Sequence, residues 1–462
     1  MHEATKAPKI SFFDYIVIGG GTAGIPLATT LSAKYSVLLL ERGGSPYGNA
    51  NITSQLNFGN NFADTSPDSP SQIFTTEGVI NTRARVLGGG TYINAGFYSR
   101  GEAQFNKEAR LMDENLVQES YKWTERVMVF EPVVQEWPSA VRAALLEAGV
   151  TPDNGFTYDH IIGTKVSGKS RPMAYGVVFE DSLGNKHRAY LKGGKKDEII
   201  LSAGALGSPQ LLMLSGIGPR KQLDALKIKV VLEQPFIGQG MADNPLNAVF
   251  IPAPVAVNPS GVQIVGITWF GSYIEEAGGF SFIFTPSPNY QGFSPQKING
   301  PLSMGELKIE NRNPADTPSV TFNYFKEPED LRKCVKGVAT ILKAIESKAF
   351  SNYKFANMTV QEILDINMRL PGNDLVRSNT SLSLEQYCKD TVRTMWHYHG
   401  GCHIDKVIDH EYKVFGVDGL RVIDGSTILN SPGTNPQASV LMLGRYMGVT
   451  ILGQRIACDK SR

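Results

Sequence analysis

Cysteine is scarce in this sequence: four residues in a chain of 462, too few for a disulfide-built scaffold. An excess of one charge is also missing. Forty-five Lys and Arg stand against 44 Asp and Glu, a net charge of +1, which excludes a protein built to coat nucleic acid or another polyanion. No uninterrupted apolar run approaches the roughly 20 residues of a bilayer span. The two longest candidates, Tyr15 to Ala33 and Ile199 to Pro219, are broken by GGGTAG and GALGSPQ and read as strand-turn-helix transitions, so no transmembrane segment is expected. Met1 to Ser11 lacks the apolar stretch of a secretory leader. His399, Cys402 and His403 lie close together, but no second cluster with ligand spacing accompanies them, so no metal site is expected. Three sequons, at Asn51, Asn357 and Asn379, are short enough to arise by chance.

What remains is an ordinary folded composition, 42% hydrophobic and 19% charged, with glycine mildly enriched and placed in clusters. Asp14 to Gly19 (DYIVIG) suits a buried parallel strand, and an apolar helical pattern follows through Leu31. Between them Gly19, Gly21 and Gly24 fall at the G-x-G-x-x-G spacing. That spacing tightens a turn, lets backbone approach a pyrophosphate at a helix N-terminus, and lets helix pack on strand. A second strand, Ser36 to Leu40, ends in Glu41, 22 residues beyond Gly19, close to the place of an acidic ligand for a ribose hydroxyl. A dinucleotide site in an α/β fold is expected here, and spacing alone does not choose the dinucleotide.

Farther along, residues 84–94 read ARVLGGGTYIN and residues 204–218 read GALGSPQLLMLSGIG. Both resemble signatures of the glucose-methanol-choline (GMC) flavin oxidoreductases. With the ERGG at 41–44, the resemblance runs from Asp14 to about Ile456. It is nearest to the plant HOTHEAD-like branch, which is related to the plant mandelonitrile lyases. It implies FAD as cofactor, bound in a Rossmann-like domain interwoven with a substrate domain on an antiparallel sheet. Residues 12–100, 190–245 and 395–462 are expected to form the first, and 101–189 and 246–394 the second with its connecting segments. It also implies FAD contacts from Thr22, Ala23, Glu41, Arg42, Val86, Gly90, Asn94, Ala95, Gly96, Phe97, Trp396, His397, Gly425, Pro436 and Gln437. Secretion, and a disulfide between Cys334 and Cys388, follow from the same resemblance.

The carboxy-terminal segments WHYHGGC (396–402), DGS (424–426) and NPQ (435–437) match those that bring a His and a second His or Asn beside the flavin in the family. On that match His397 is the base for a hydroxyl proton and Asn435 an amide donor to the oxygen. Imidazole suits the first role because its pKa lies near neutrality. A helix opening at Asn435-Pro436 would offer its positive end to the flavin. Asp424 is expected to organise a turn, and His399 to support its neighbour. The resembling lyases place a Tyr two residues before the His and a second His where this chain has Asn435, whereas Met395 stands here at the first position. Oxidation of an apolar primary alcohol, such as a long-chain omega-hydroxy fatty acid, is therefore the expected reaction. A hydroxynitrile lyase using FAD structurally and a non-catalytic member with impaired FAD binding are the alternatives. An aromatic stretch between Phe250 and Phe293, including Trp269, Phe270, Phe280, Phe282 and Phe284 with only Glu275 and Glu276 as charges, is either a substrate wall or core.

The chain is short for the family, and the shortage is internal. One join is expected at 166–171, where relatives carry a strand of the adenine site. Another is expected at Ser294 to Lys297, where they carry a surface insert.

Overall fold

A computed structural model describes residues 2–62, 64–130, 134–151, 173–279, 291–377, 383–433 and 435–460. In chain order the elements that build the site are β1 (Tyr15–Ile18), α1 (Gly24–Ser32), β2 (Val37–Leu40), the hairpin β3 (Ser71–Thr76) and β4 (Val79–Ala84), and α2 (Glu114–Met128). Next come β5 (Gly176–Glu180), β6 (Lys186–Leu191), β7 (Glu198–Leu201) and α3 (Gly204–Leu214). The second half adds β8 (Pro245–Pro252), β9 (Val265–Ile267), β10 (Ser272–Glu275), β11 (Ala277–Gly278), β12 (Gln291–Ile298), α4 (Pro328–Ile345) and α5 (Leu384–Asp390). The chain ends through β13 (Arg393–Thr394), β14 (Leu420–Val422) and α6 (Gln437–Lys460).

Four strands form a parallel sheet in the order β14-β7-β1-β2. Ile16 faces Leu38 on one side and Ile199 on the other, and Tyr15, Ile16 and Val17 are wholly buried, the apolar run a doubly covered parallel strand requires. Both stretches that imitate membrane spans are strand-turn-helix units, β1 to α1 and β7 to α3. No helix among the described residues is long and apolar enough to cross a membrane. One core covers this sheet, joining Leu27 and Leu31 of α1, Val117 and Tyr121 of α2, and Met442, Leu443 and Met447 of α6.

The second sheet has six strands, in the order β9-β10-β12-β8-β13 with β11 also on β12, and its pairs are antiparallel. The buried stripe of α4, Cys334, Val338, Ile341 and Ile345, joins Val249, Ile251, Ile274 and Ile298 of this sheet in a second core, at the three-to-four-residue spacing of one helix face. The predicted disulfide is present, linking Cys334 of α4 to Cys388 of α5.

Ser294 to Lys297, the segment at which a join is expected, lies inside β12, the strand between β10 and β8. Pro295 has no N–H to give; the ladder on one side is interrupted opposite it, between β10 and β11 at Glu275 and Glu276, and on the other side it stays in register with Ala248 of β8. One expectation changes here, for Trp269 is not a cavity wall: the tight link between β9 and β10, held by Gly271 N–H to Thr268 O, leaves it 88% exposed beside Phe270, with Lys336 over both rings. Phe280, Phe282 and Phe284, the join at 166–171 and the sequon Asn379 lie outside the described residues.

Candidate active site

One cavity of about 1850 Å3 collects nearly all the predicted site residues. Gly19, Gly21, Thr22, Ala23, Glu41, Arg42, Val86, Gly90, Asn94 to Phe97, Trp396, His397, Gly425, Asn435, Pro436 and Gln437 all border it. Gly24 does not, and its reason is packing. A Cβ there would sit 1.9 Å from Gly19 O and 3.2 Å from Ser202 Cβ, so α1 could not close on the turn. Gly19 itself adopts φ +108° with Ser202 O 2.2 Å from where a Cβ would be.

The wall opposite the turn is bare for a different reason. A Cβ on Gly89 would come within 2.9 Å of Gly21 Cα, whereas Gly90 and Gly425 have no atom within 4 Å of that position. Backbone therefore lies open to the cavity on two sides, the shape a flat ring and a pyrophosphate need. Thr22 and Thr91 hydroxyls meet at 2.9 Å across the turn. Asn94 gives its amide N–H to Gln437 Oε1 at 2.5 Å and accepts from Gly96 N at 2.8 Å, which ties this loop to the start of α6.

Glu41 accepts from Gly20 N at 2.9 Å and Gly43 N at 2.7 Å, so its carboxylate is aimed by two backbone donors. Burial nevertheless raises its pKa. Arg42 is clamped by Gln72 and by Ala84 O. Arg83 of β4, not foreseen from sequence, is also buried at the cavity wall, donating to Gln210 Oε1 at 3.2 Å, and burial pushes its guanidinium down to about 10.

At the other end stands His397. The residue before it, Trp396, has φ +56°, a backbone that side-chain-bearing residues rarely adopt. Its N–H donates to Thr394 Oγ1 at 2.7 Å. Asp243 anchors the whole turn: its carboxylate accepts from Thr394 Oγ1 and Tyr324 OH, each at 2.6 Å, and from His397 N at 3.1 Å. Burial pushes Asp243 up to about 6. Sequence reasoning missed it, because its only signal is a polar Asp243-Asn244 pair between two apolar runs.

Burial, with the nearby Lys297 charge second, holds His397 well below the ordinary imidazole pKa. Its ring nitrogen Nδ1 lies 3.2 Å from Lys297 Nζ. His399 supports it, Nδ1 lying 2.9 Å from His397 O, and burial lowers His399 to about 4. Asp424 organises the strand-to-loop turn as expected: it accepts from Ser426 N at 2.7 Å, Gly204 N at 2.9 Å and Ser208 Oγ at 2.5 Å, joining the end of β14 to the start of α3. Beside His397 the wall is apolar. Met395 packs on a small cluster of Leu246, Ala248, Phe250 and Ala277, and Met395, Leu246 and Ala277 border the cavity. The two carboxylates nearby are buried, and burial raises Glu275 to about 7 and Glu276 to about 8.

Known proteins resemble this chain. Family models for GMC oxidoreductase match residues 135–246 and 301–444. Protein HOTHEAD of Arabidopsis thaliana is 45% identical over 529 aligned positions, covering 96% of this chain and 89% of its own. Sinalpyl alcohol oxidase Nec3 of Nesocodon mauritianus is 42% identical, covering 99% and 92%. A crystal structure of formate oxidase superimposes with a TM-score of 0.77 at 18% identity, covering 97% of this chain and 99% of its own, which speaks to fold alone. The alignment with HOTHEAD runs over 529 positions yet takes in only 96% of the 462 residues here, so the shortage is internal, as expected. The chain belongs to the GMC oxidoreductase family and is an FAD-dependent oxidoreductase acting on CH–OH donors.

Proposed function

We propose that the chain oxidises an apolar primary alcohol to the aldehyde with His397 as base and Asn435 as the donor that holds the substrate oxygen. The observation that carries this reading is the sharing of one cavity by the glycine-lined cradle, His397, Asn435 and the apolar Met395 wall. Gly19, Gly21, Thr22, Glu41, Gly90, Asn94 and Gln437 are the residues that would hold FAD. When bound, FAD supplies the hydride acceptor for a carbinol C–H.

Imidazole accepts the hydroxyl proton only when neutral, and burial, the largest influence on this ring, keeps it so. The backbone that carries the ring is fixed, because its N–H is tied to Asp243 and the preceding turn to Thr394. Asn435 offers an amide N–H to the oxygen as negative charge grows there. The first turn of the 24-residue α6 opens on the same space, so its positive end favours an anion at that place. Met395 lies where the plant lyases are expected to carry a Tyr, and its thioether supplies neither the hydroxyl proton nor the charge that cyanide release requires.

The apolar cluster favours an aromatic or long-chain alcohol over a sugar, and the identity to sinalpyl alcohol oxidase supports an alcohol donor. We further propose an oxidising compartment such as the secretory pathway, supported by the Cys334–Cys388 disulfide. The test is spectroscopic. FAD-reconstituted protein mixed anaerobically with aromatic or long-chain primary alcohols bleaches in the flavin bands. Cyanide release from mandelonitrile without bleaching would reverse the reading in favour of a lyase, and failure to take up FAD would end both.

A further inference from the structure

Lys297 is an odd residue to find where it is. It sits in the sheet interior at 1% exposure, in register with Tyr273 of β10 and Leu246 of β8, on the segment where this chain is expected to be shorter than its relatives. Its Nζ lies 5.4 Å from the centre of the Tyr273 ring and 3.2 Å from Nδ1 of His397. A buried lysine ordinarily ends on a carboxylate; this one reaches the base proposed above.

The contact has two possible senses, with opposite chemical results. As an ammonium, Lys297 has only N–H donors, so it must give a hydrogen bond to Nδ1. A neutral imidazole then carries its single proton on Nε2, the nitrogen that should be receiving one. As a neutral amine, Lys297 accepts from Nδ1–H, and Nε2 presents a lone pair. We propose that Lys297 is a positioning residue that sets the tautomer of His397, releasing Nε2 as a base when the amine is neutral and blocking it when the amine is charged. The inference rests on the reading of His397 as the base. When the substrate hydroxyl proton reaches Nε2, the Nδ1 proton passes to Lys297 Nζ. The substrate O–H and the Nδ1–H bonds break while N–H bonds form at Nε2 and Nζ, so the proton ends as ammonium and the imidazole stays neutral.

The surroundings allow that switch within an accessible pH range. Burial lowers Lys297 to about 8, opposed by the charges of Glu275, then Asp243 and Glu102, and His397, His399 and the Tyr273 phenol are the other titratable groups around it. Tyr273 donates to Glu102 Oε1 at 2.5 Å, and burial holds its phenol above the ordinary range, so it stays neutral there.

Two variants and one spectrum test this. In the FAD-loaded wild type the rate of anaerobic flavin reduction by an alcohol should rise with pH through a midpoint near 8. Lys297→Met should lose that limb. Lys297→Arg, a permanent donor, should be slower than wild type by about a hundredfold at pH 9, the lower end of what a general base contributes. A merely structural lysine would give two variants slowed alike with the limb in place, which would overturn the inference, as would an arginine variant as fast as wild type. The spectrum does not depend on turnover. In 15N-histidine-labelled protein, the His397 signal, assigned by its absence from His397→Asn, should report the Nε2–H tautomer at pH 6.5 and the Nδ1–H tautomer at pH 9.5, without that change in Lys297→Met. An unchanged tautomer in wild type would refute the role of Lys297, whereas a wild type that no alcohol reduces would refute only the reaction.

Discussion

The two ends of the cavity are built on opposite principles. At the nucleotide end, backbone does the shaping: Gly19, Gly24 and Gly89 are small because main-chain atoms occupy the space a side chain would need, and the partners of each turn are near in sequence or belong to a recognised motif. At the alcohol end, buried charges do it. Asp243 holds a turn 154 residues away, Lys297 reaches a ring 100 residues away, and Glu275 and Glu276 are buried with their pKa values raised by desolvation. The first kind of site tolerates no added atoms. The second responds to pH.

The largest way to break this contrast is a methyl group. Gly24→Ala places a Cβ against Gly19 O and should unseat α1 from the turn, with loss of FAD and of cooperative unfolding, because backbone offers no room to relax. Gly90→Ala, where nothing stands within 4 Å, should keep the fold and thermal midpoint and change only FAD affinity, measured by fluorescence titration. Equal effects of the two would erase the distinction between packing glycine and cofactor-facing glycine.

A smaller effect sharpens the other end. Glu276 has a folded pKa of about 8 against an ordinary 4.5, so the unfolded chain releases this proton first as pH rises. Its contribution to stability is complete below about pH 4.5 and is lost as pH rises through 8. Glu276→Gln cannot ionise. Its stability relative to wild type should improve by at least about 1 kcal/mol between pH 5 and pH 9 in denaturant titrations. A difference that stays flat across that range would mean Glu276 ionises freely where it sits. Smallest of all is Trp269→Ala. An exposed ring over Lys336 should alter stability by no more than about 0.5 kcal/mol and leave alcohol preference unchanged, whereas a changed preference would restore Trp269 to the substrate wall.

The same contrast explains what was legible in the sequence. The turn of Gly19, Gly21 and Gly24, the acidic residue at the end of β2 and the segments around Gly90 and Asn435 are patterns spelled out within a few consecutive residues, even though their contacts reach farther, as from Gly19 to Ser202 and from Asn94 to Gln437. Asp243 and Lys297 carry no such pattern. Each is an unremarkable polar residue until the antiparallel sheet folds and sets β8, β10 and β12 against the turn before His397. The aromatic stretch around Trp269 misled because composition does not say which side of a hairpin a ring will take; a tight link of four residues decided it.

The central claim is that His397 takes the alcohol proton at a site whose cofactor cradle is independent of it. Single-turnover anaerobic reduction of His397→Ala, compared with wild type at equal FAD content, tests it most directly. The expected result is full FAD retention with reduction slowed by about 10²- to 10⁴-fold. A variant that holds FAD and is reduced at the wild-type rate would contradict the account.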